Sequence, residues 1–510
     1  MLNTDPNQTE FVNFYLPFNG RLKASNRWVK LAALFPWDVV ERCYRDSFAG
    51  TGMGAPAKSG RIAYGALLIK ERLRITDEET VEQISENPYL QYFLGFKELC
   101  QEPPFDSSMM VHFRSRFTEA HHESINSKII AAATDTGEPE DTDEEDSPPK
   151  NAGKLLVDAT CTPADIKYPT DLGLLNQARE KTEAVIDRFQ SHIVRTCSKQ
   201  VKKPRTYRQK ARKQYLTVTK QKKPGAKKIR KAIGQQLNYL RRNLGHIARM
   251  SDSHPGILGT LDRYNYKCLL VAHTLYEQQR QMHEKRTHSV VDRIVSISQP
   301  HVRPIVRGKA GKSVEFGAKI SISHQKDGYV SLDTLSWDAY NESTDLPSQI
   351  ETYKKRFGYY PLSVHADTIY RNRENRKYCK TRNIRLSGKP LGRPKKQTPE
   401  NASELKAEKK QQFQDERDRI PVEGKFGNCK RKGTLGRIMA KLAHTSESVI
   451  HVGIVMLNLE KRLRIVLLWL YSESMRVHHI IIAELASVFT ALCVFKNVPT
   501  SKMVRIKASS

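Results

Sequence analysis

Hydrophobic and polar positions along the chain change their period in a way that divides it into stretches. From residue 25 to about 133, apolar residues recur every three or four positions in WVKLAALFPWDVVERCY, GRIAYGALLIKERL, ETVEQISENPYLQYFLGF and SSMMVHFRSRFTEAHHESINSKIIAAA. That spacing predicts helices with one face turned to a core. Asp77 and Thr80 offer helix starts, and Pro88 and the Pro103–Pro104 pair punctuate the run. TDTGEPEDTDEEDSPPK, Thr134 to Lys150, then breaks every pattern. It is acidic, lacks apolar residues and closes on two prolines, as an exposed linker does.

KLLVDATCTPADI follows as a β-branched apolar run interrupted by Asp158, which predicts a buried strand. Helical spacing returns from Leu174 to His288. From Val290 the period shortens: DRIVSISQ, VEFGAKISISHQ and GYVSLDTLSW read as strands, with KDG as a turn between the last two. LPSQIETYKKRFG predicts a helix and YPLSVHADT a strand ending on Asp367. RNRENRKYCKTRNIRLSG continues with helix and strand signals, KPLGRPKKQTPENAS is a basic loop, and Ala402 to Arg419 is a long charged helix. The tail run IIIAELASVFTALCVF is short for a membrane span and carries Glu484, so a buried helix is expected there.

Composition adds a partner to this outline. A chain of 510 residues implies two or three domains, and a net charge of +30 attracts polyanions, of which nucleic acid is the commonest soluble one. A ribosome-associated or simply very basic protein is the plainer alternative. Between Asp187 and Asp252 no acidic residue occurs, and Tyr207, Tyr215 and Tyr239 interleave the cations. A solvated charge run would look the same, but the length and single sign favour a surface that contacts phosphates. The eight cysteines are scattered, with no C-x-x-C pair, which suits reduced thiols in the cytosol. The polar N-terminus has no signal-peptide pattern.

The candidate chemistry rests on three acids. Asp158 in LLVDATC and Asp367 in LSVHADT both sit in apolar, strand-like surroundings, where a carboxylate is costly to desolvate without a cation. Either alone would also suit a strand-end cap or half of a salt bridge. Glu423 is the one acid in RIPVEGKFGNCKRKGTLGR, among Arg419, Lys425, Lys430, Arg431, Lys432 and Arg437. Convergence of the three on Mg²⁺, with Mn²⁺ as a substitute, explains all of them together, because hard divalent ions take oxygen ligands. Two such ions about 4 Å apart serve phosphodiester chemistry. The surrounding cations, Arg419, Lys425, Lys430 and Arg431, would hold a DNA backbone. Asp165 and Asp171 are weaker candidates, with Asp171 read as the cap of a helix starting near Leu172. Glu374 reads as one half of an intrahelical ion pair, and His365 as a structural histidine.

The blocks carrying these acids resemble those of bacterial insertion-sequence transposases with a DDE catalytic triad. LLVDATCTPADIKYPTDLGLLNQARE is similar to the block of the first aspartate, HADTIYRNRENRKYC with IRLSGKPLGRP to the second, and VEGKFGNCKRKGTLGRIMAKL to the glutamate block. NPYLQYFLGF and DSSMMVHFRSRF resemble the family's helical DNA-binding domain. Related elements carry a Tyr, two residues, Arg, three residues, Glu, six residues, Lys signature; Arg419, Glu423 and Lys430 fall at that spacing, while Glu416 stands in the Tyr position.

The resemblance implies Asp158, Asp367 and Glu423 as catalytic and metal-binding residues. It also implies an α/β core of ribonuclease-H-like type, a mixed sheet flanked by helices, with an all-helical N-terminal domain. The division it suggests is 1–133 for that domain, 134–152 for the acidic linker, 153–445 for the catalytic domain with a basic helical insertion at about 174–288, and 446–510 for a helical C-terminal segment. The expected strands lie at 158, about 293, 317 and 330, followed by a helix, the 367 strand and the glutamate helix. Expected partners are double-stranded DNA, both element ends and target, and further copies of the chain on that DNA, with no membrane. The expected setting is the bacterial cytoplasm, at the nucleoid. A catalytically inactive DNA-binding derivative, or a nuclease that cuts without joining, would share most of these features.

Overall fold

The computed structural model describes residues 20–48, 56–134, 151–196, 202–309, 312–324, 328–388, 392, 398–399, 401–431 and 433–495. The acidic linker and the KDG turn fall largely or wholly outside these. The N-terminal periodicity folds into α1 (Arg27–Leu34), α2 (Trp37–Asp46), α3 (Gly60–Leu73), α4 (Asp77–Glu86), α5 (Pro88–Phe93), α6 (Met109–Arg116) and α7 (Glu119–Thr134). Local chemistry sets the starts: Ser59 caps α3, and Thr76, not Asp77 or Thr80, caps α4 through its hydroxyl. Asn87 caps α5, with Pro88 in its first turn. The apolar faces meet in an aromatic core of Trp28, Trp37, Tyr64, Phe93, Phe113 and Phe117. Burying each such side chain contributes about 1.5–3 kcal/mol.

The strand carrying Asp158 is β1 (Lys154–Pro163), and four long helices follow it: α8 (Asp171–Thr196), α9 (Arg208–Thr219), α10 (Ala226–Ser253) and α11 (Arg263–Lys285). Their apolar stripes pack on one another, with Leu175, Leu240, Ala272 and Leu275 fully buried. Arg179, also buried, donates to Asn176 at 2.8 Å and to Gln236 at 3.2 Å, and pairs with Glu183. The expected cap of α8 is corrected: the Thr170 hydroxyl accepts from Gly173 N–H at 3.1 Å. Asp171 instead accepts from Arg293 at 2.7 Å and Gln279 at 2.8 Å.

The remaining strands are β2 (Arg303–Lys309), β3 (Lys312–His324) and β4 (Val330–Ser336). After them come α12 (Leu346–Phe357), β5 (Ser363–His365), α13 (Arg373–Thr381), β6 (Arg385–Leu386), α14 (Ala402–Arg431) and α15 (Ala443–Phe495). DRIVSISQ, expected as a strand near 293, forms none. Its Ile294, Val295 and Ile297 are buried, but the Ile294 N–H donates to the Gln278 side chain at 3.0 Å instead of to a neighbouring strand. The sheet is mixed, in the order β2-β3-β1-β5-β6, with β4 also paired to β3. β1 is antiparallel to β3 and parallel to β5, and β5 is parallel to β6.

One face of the sheet, through Leu155, Val157 and Val364, packs on α12 and α13 with Ile350 and Cys379. The other, through Leu156, Ile320 and Ile322, packs on α14 and α15 with Val422, Phe426, Ile450 and Ile454. The first part of α15 also enters the N-terminal core through Val452, Val455, Leu459 and Leu463. Beyond Leu463 it outruns that core: Ile481, Ile482 and Leu485 are exposed, so the buried tail helix expected from the sequence is corrected. Among the described residues, no helix is long and apolar enough to cross a membrane.

Candidate active site and metal centre

β1 and β5 run parallel with Leu156 opposite His365, so two residues further along both chains Asp158 lies beside Asp367. The alternation of a strand turns Leu156, Asp158 and Thr160 to one face. Leu156 packs against Val422 and Phe426 there, and Thr160 Oγ1 accepts from Lys430 Nζ at 2.9 Å. Asp158 therefore faces α14. Its Oδ1 accepts from the Ala159 N–H at 2.8 Å. β5 ends at His365, two residues short of the strand end expected at Asp367, and Asp367 instead caps the short turn Thr368–Tyr370, accepting from the Thr368 N–H at 2.6 Å.

Burial pushes the Asp158 carboxyl up to about 6, and the negative charges of Asp367 and Glu342 push the same way; the Ala159 N–H and Arg419 oppose them. Arg419 Nη1 lies 3.8 Å from Asp367 Oδ1 and faces both aspartates. Glu342, a further acid near Asp158, is paired with Lys319. Asp158 and Asp367 are thus adjacent acids with one shared arginine, a set of hard oxygen donors that lacks positive charge and suits a divalent ion.

Two contacts fix the path of α14 over this face. Asp418 pairs with Lys154 at the start of β1, and Lys430 reaches Thr160 further along it. The helix covers roughly 18 Å between these points and the strand roughly 20 Å, so the two run side by side. Glu423 falls between the contacts, at about the level of Leu156 to Asp158. At 100° per residue, Arg419, Glu423 and Lys430 share a face within about 40°. Glu423 is exposed, and among the described residues its side chain has no hydrogen bond or ion pair. It lies in mid-helix, two residues after Pro421, not at the start of a helix as expected from the sequence.

The four cations proposed for DNA do not stay together. Arg419 and Lys430 share the Glu423 face, and Arg431 is exposed beside them. Lys425, about 160° round the helix from Glu423, is turned away from that face toward Lys461 and Arg464 of α15. The competing acids are also placed. Asp165 is held by Arg437 and Lys441. Glu374 sits exposed in the first turn of α13 and, among the described residues, lacks the intrahelical pair expected of it.

A second acidic cluster lies one turn back along α14. Single ligand atoms of His365, Asp415 and Asp418 lie within 4.8 Å of one another. His365 is fully buried, with Nε2 at 2.9 Å from Ser363 Oγ and Nδ1 at 3.8 Å from Asp415 Oδ1. Here the charges are already balanced: Arg385 grips both oxygens of Asp415 at 2.7 and 2.9 Å, and Lys154 pairs with Asp418. The reading of His365 as structural fits this, whereas Asp415, Asp418 and Glu342 were not singled out in the sequence. The DERDR stretch holds both aspartates one helical turn apart, but only the strand register reveals what they face.

Two family descriptions match the chain: "Transposase DDE domain" over residues 364–460 and "Transposase domain (DUF772)" over residues 17–116. The first takes in Asp367 and Glu423 and begins after Asp158. The chain is also 31% identical over 150 residues to a Rhizobium meliloti protein named "Uncharacterized protein ORF8 in nfe locus", covering 29% of this chain and 68% of that one. No solved structure matches.

Proposed function

The chain belongs to the insertion-sequence transposases that carry a DDE domain, and on that premise we propose that Asp158, Asp367 and Glu423 form the site that cuts and joins DNA strands. The observation that carries this reading is the nearness of Asp158 on β1 to Asp367, two residues past the end of β5, with Arg419 of α14 facing both, beneath the α14 face that bears Glu423. The sheet order, with β1 central, antiparallel on one side and parallel on the other, supports a ribonuclease-H-like core. A DDE domain implies dependence on divalent metal in general, and the three carboxylates fit Mg²⁺ or Mn²⁺, with two ions as the working number.

When bound, such ions activate an attacking oxygen and stabilise a leaving one in an in-line displacement at phosphorus. The protein's own groups do the rest. Asp158 and Asp367, fixed by backbone N–H groups, set the spacing of the site from the rigid sheet. Arg419 moves from Asp367 to the backbone phosphate when the carboxylates are neutralised, and Lys430 and Arg431 hold the next phosphates along α14. Water attacks the phosphorus at the element end and displaces its 3′-oxygen as a hydroxyl; that hydroxyl then attacks a target phosphorus in the same site and displaces the target strand's own 3′-oxygen, without a covalent protein intermediate. The helices α1–α7 recognise the element ends, and the acid-free run 188–251, with α9 and most of α10, supplies salt-dependent affinity. Two ends cut in coordination call for more than one copy of the chain on the DNA, at the nucleoid.

The test is cleavage and joining of labelled DNA carrying the element's own ends, with Mg²⁺ or Mn²⁺. Wild type is expected to give both products, and Asp158→Ala, Asp367→Ala and Glu423→Ala to bind the ends yet give neither. Cutting without joining would reduce the activity to a nuclease, and binding without cutting in wild type would reduce it to a DNA-binding derivative.

A further inference from the structure

The apolar end of α15, expected to be buried, finds no cover among the described residues. The helix is 53 residues long, and Leu463 is the last described residue along it that is buried. Leu485 lies 22 residues further on, roughly 33 Å along the axis. A helix draws most of its stability from an apolar face packed against something, and this one has such a face. Leu468, Tyr471 and Leu485 are 62%, 66% and 64% exposed, and Met475 and Ile482 also stand in solvent. A large exposed apolar patch on a soluble protein marks a contact surface.

These residues are ordered, not scattered. Leu468, Tyr471, Met475, His478, Ile482 and Leu485 follow one another at alternating steps of three and four, the spacing that keeps a seam facing a second helix. At 100° per residue they fall within about 100° of arc. Glu473, Arg476 and Glu484, the charged residues between Ile465 and Leu485, lie about 130° or more from its centre. Arg464 and Arg476 balance Glu473 and Glu484, so this overhang is neutral in a chain of +30. DNA finds no positive field to hold it there, and an anionic lipid surface would need a basic polar face. The seam fits another neutral, apolar seam of its own length.

We propose that residues 468–485 of α15 pack antiparallel against the same residues of a second copy of the chain. Turned end for end, the seam complements itself: Leu468 meets Leu485, Tyr471 meets Ile482 and Met475 meets His478, and the two-fold axis repeats each layer. A parallel pair would instead set His478 against its own copy and hold two bodies of high positive charge side by side. The antiparallel pair puts those bodies at opposite ends of the joined helices, beyond the screening length of roughly 8 Å in physiological salt. It also opposes the two helix dipoles. The surface stands on the helix alone; only its use, to carry two active sites to two DNA ends, rests on the proposed activity.

The experiment uses the full chain without DNA, so its outcome is separate from that of cleavage. Mass is measured by sedimentation equilibrium over a dilution series, with thermal melts beside it. Wild type is expected at twice the chain mass of 58.4 kDa. Leu468→Lys and Leu485→Glu, both at exposed positions outside the core, should each weaken the dimer by about 30-fold or more. The double variant should recover most of that loss, because each layer then pairs Lys with Glu. Val477→Glu, about 130° from the centre of the seam, should leave the dimer intact. Single variants that dissociate without recovery in the double variant would overturn the antiparallel register. Dissociation by Val477→Glu, or a dimer indifferent to both single variants, would overturn the seam. A monomeric wild type would overturn the second copy as occupant, and a melting temperature lowered by Leu468→Lys would then assign the cover to the chain's own residues 1–19.

Discussion

Two clusters of acids lie side by side on one face of the sheet, each set against α14, and they are held in opposite ways. Around His365, Asp415 and Asp418, each carboxylate has its own cation, Arg385 or Lys154. Around Asp158 and Asp367, one arginine serves two acids, and Glu423 on the helix above has no partner among the described residues. The first cluster is neutral as it stands and fastens the early part of α14 to β5 and β6. The second is short of positive charge. The count of acids would not tell them apart, and the placement of cations does. A buried acid without a cation is costly to keep, so the one that persists beside a second acid is the one expected to receive a metal.

The contrast is broken or sharpened by substitution. The largest effect is expected for Asp367→Asn: loss of several kcal/mol of transition-state stabilisation, or about 10³-fold or more in cleavage. DNA binding should be retained, and so should the melting temperature, because removing one of two crowded acids relieves repulsion. A melting temperature well below wild type would show that Asp367 is structural.

Asp415→Ala should do the reverse. Breaking a buried pair costs up to 3–5 kcal/mol, and since Arg385 can rehydrate, about 2–3 kcal/mol is expected by urea unfolding. Cleavage by the folded fraction should stay near wild type. A large loss of activity at full stability would move Asp415 into the catalytic site.

Asp333 shows a third way of holding a carboxylate, with neutral donors only. Ser323 Oγ donates to it at 2.9 Å and Gln349 Nε2 at 2.8 Å, and burial pushes it up to about 7. The folded state thus holds this proton more tightly than the unfolded chain, whose aspartates titrate near 3.9. Its contribution to stability is full below about pH 4 and is lost as pH rises to about 7, by up to about 1.4 kcal/mol per pH unit. Asp333→Asn should flatten that part of the profile, which unfolding at stepped pH would reveal. The smallest effect belongs to Glu374→Gln: within about 0.5 kcal/mol, with cleavage unchanged. A loss of cleavage there would make Glu374 the third acid in place of Glu423.

Asp158 and Asp367 were legible in the sequence because one interrupts an apolar run and the other follows one, and Glu423 because of its spacing from Arg419 and Lys430. Their meeting was not legible, since it depends on the parallel register of β1 with β5. The direction of Lys425 was hidden for a similar reason. The helix continues through Pro421, so the phase of every later residue is set from Ala402 onward and turns Lys425 away from the Glu423 face. DRIVSISQ misled because burial alone makes an apolar run. Its backbone bonds to the Gln278 side chain, a partner that no periodicity encodes. The compensated cluster went unseen because Lys154, His365, Arg385 and Asp415 are far apart in sequence and meet only through the sheet.

The most direct test of the central claim is Mn²⁺ binding to the full chain by calorimetry, comparing wild type with Asp158→Asn, Glu423→Gln and Asp415→Asn. The account predicts that the first two weaken binding by about tenfold or more, as loss of a ligand charge should, and that Asp415→Asn leaves it unchanged. Binding abolished by Asp415→Asn and indifferent to Asp158→Asn would place the metal in the other cluster and contradict the account.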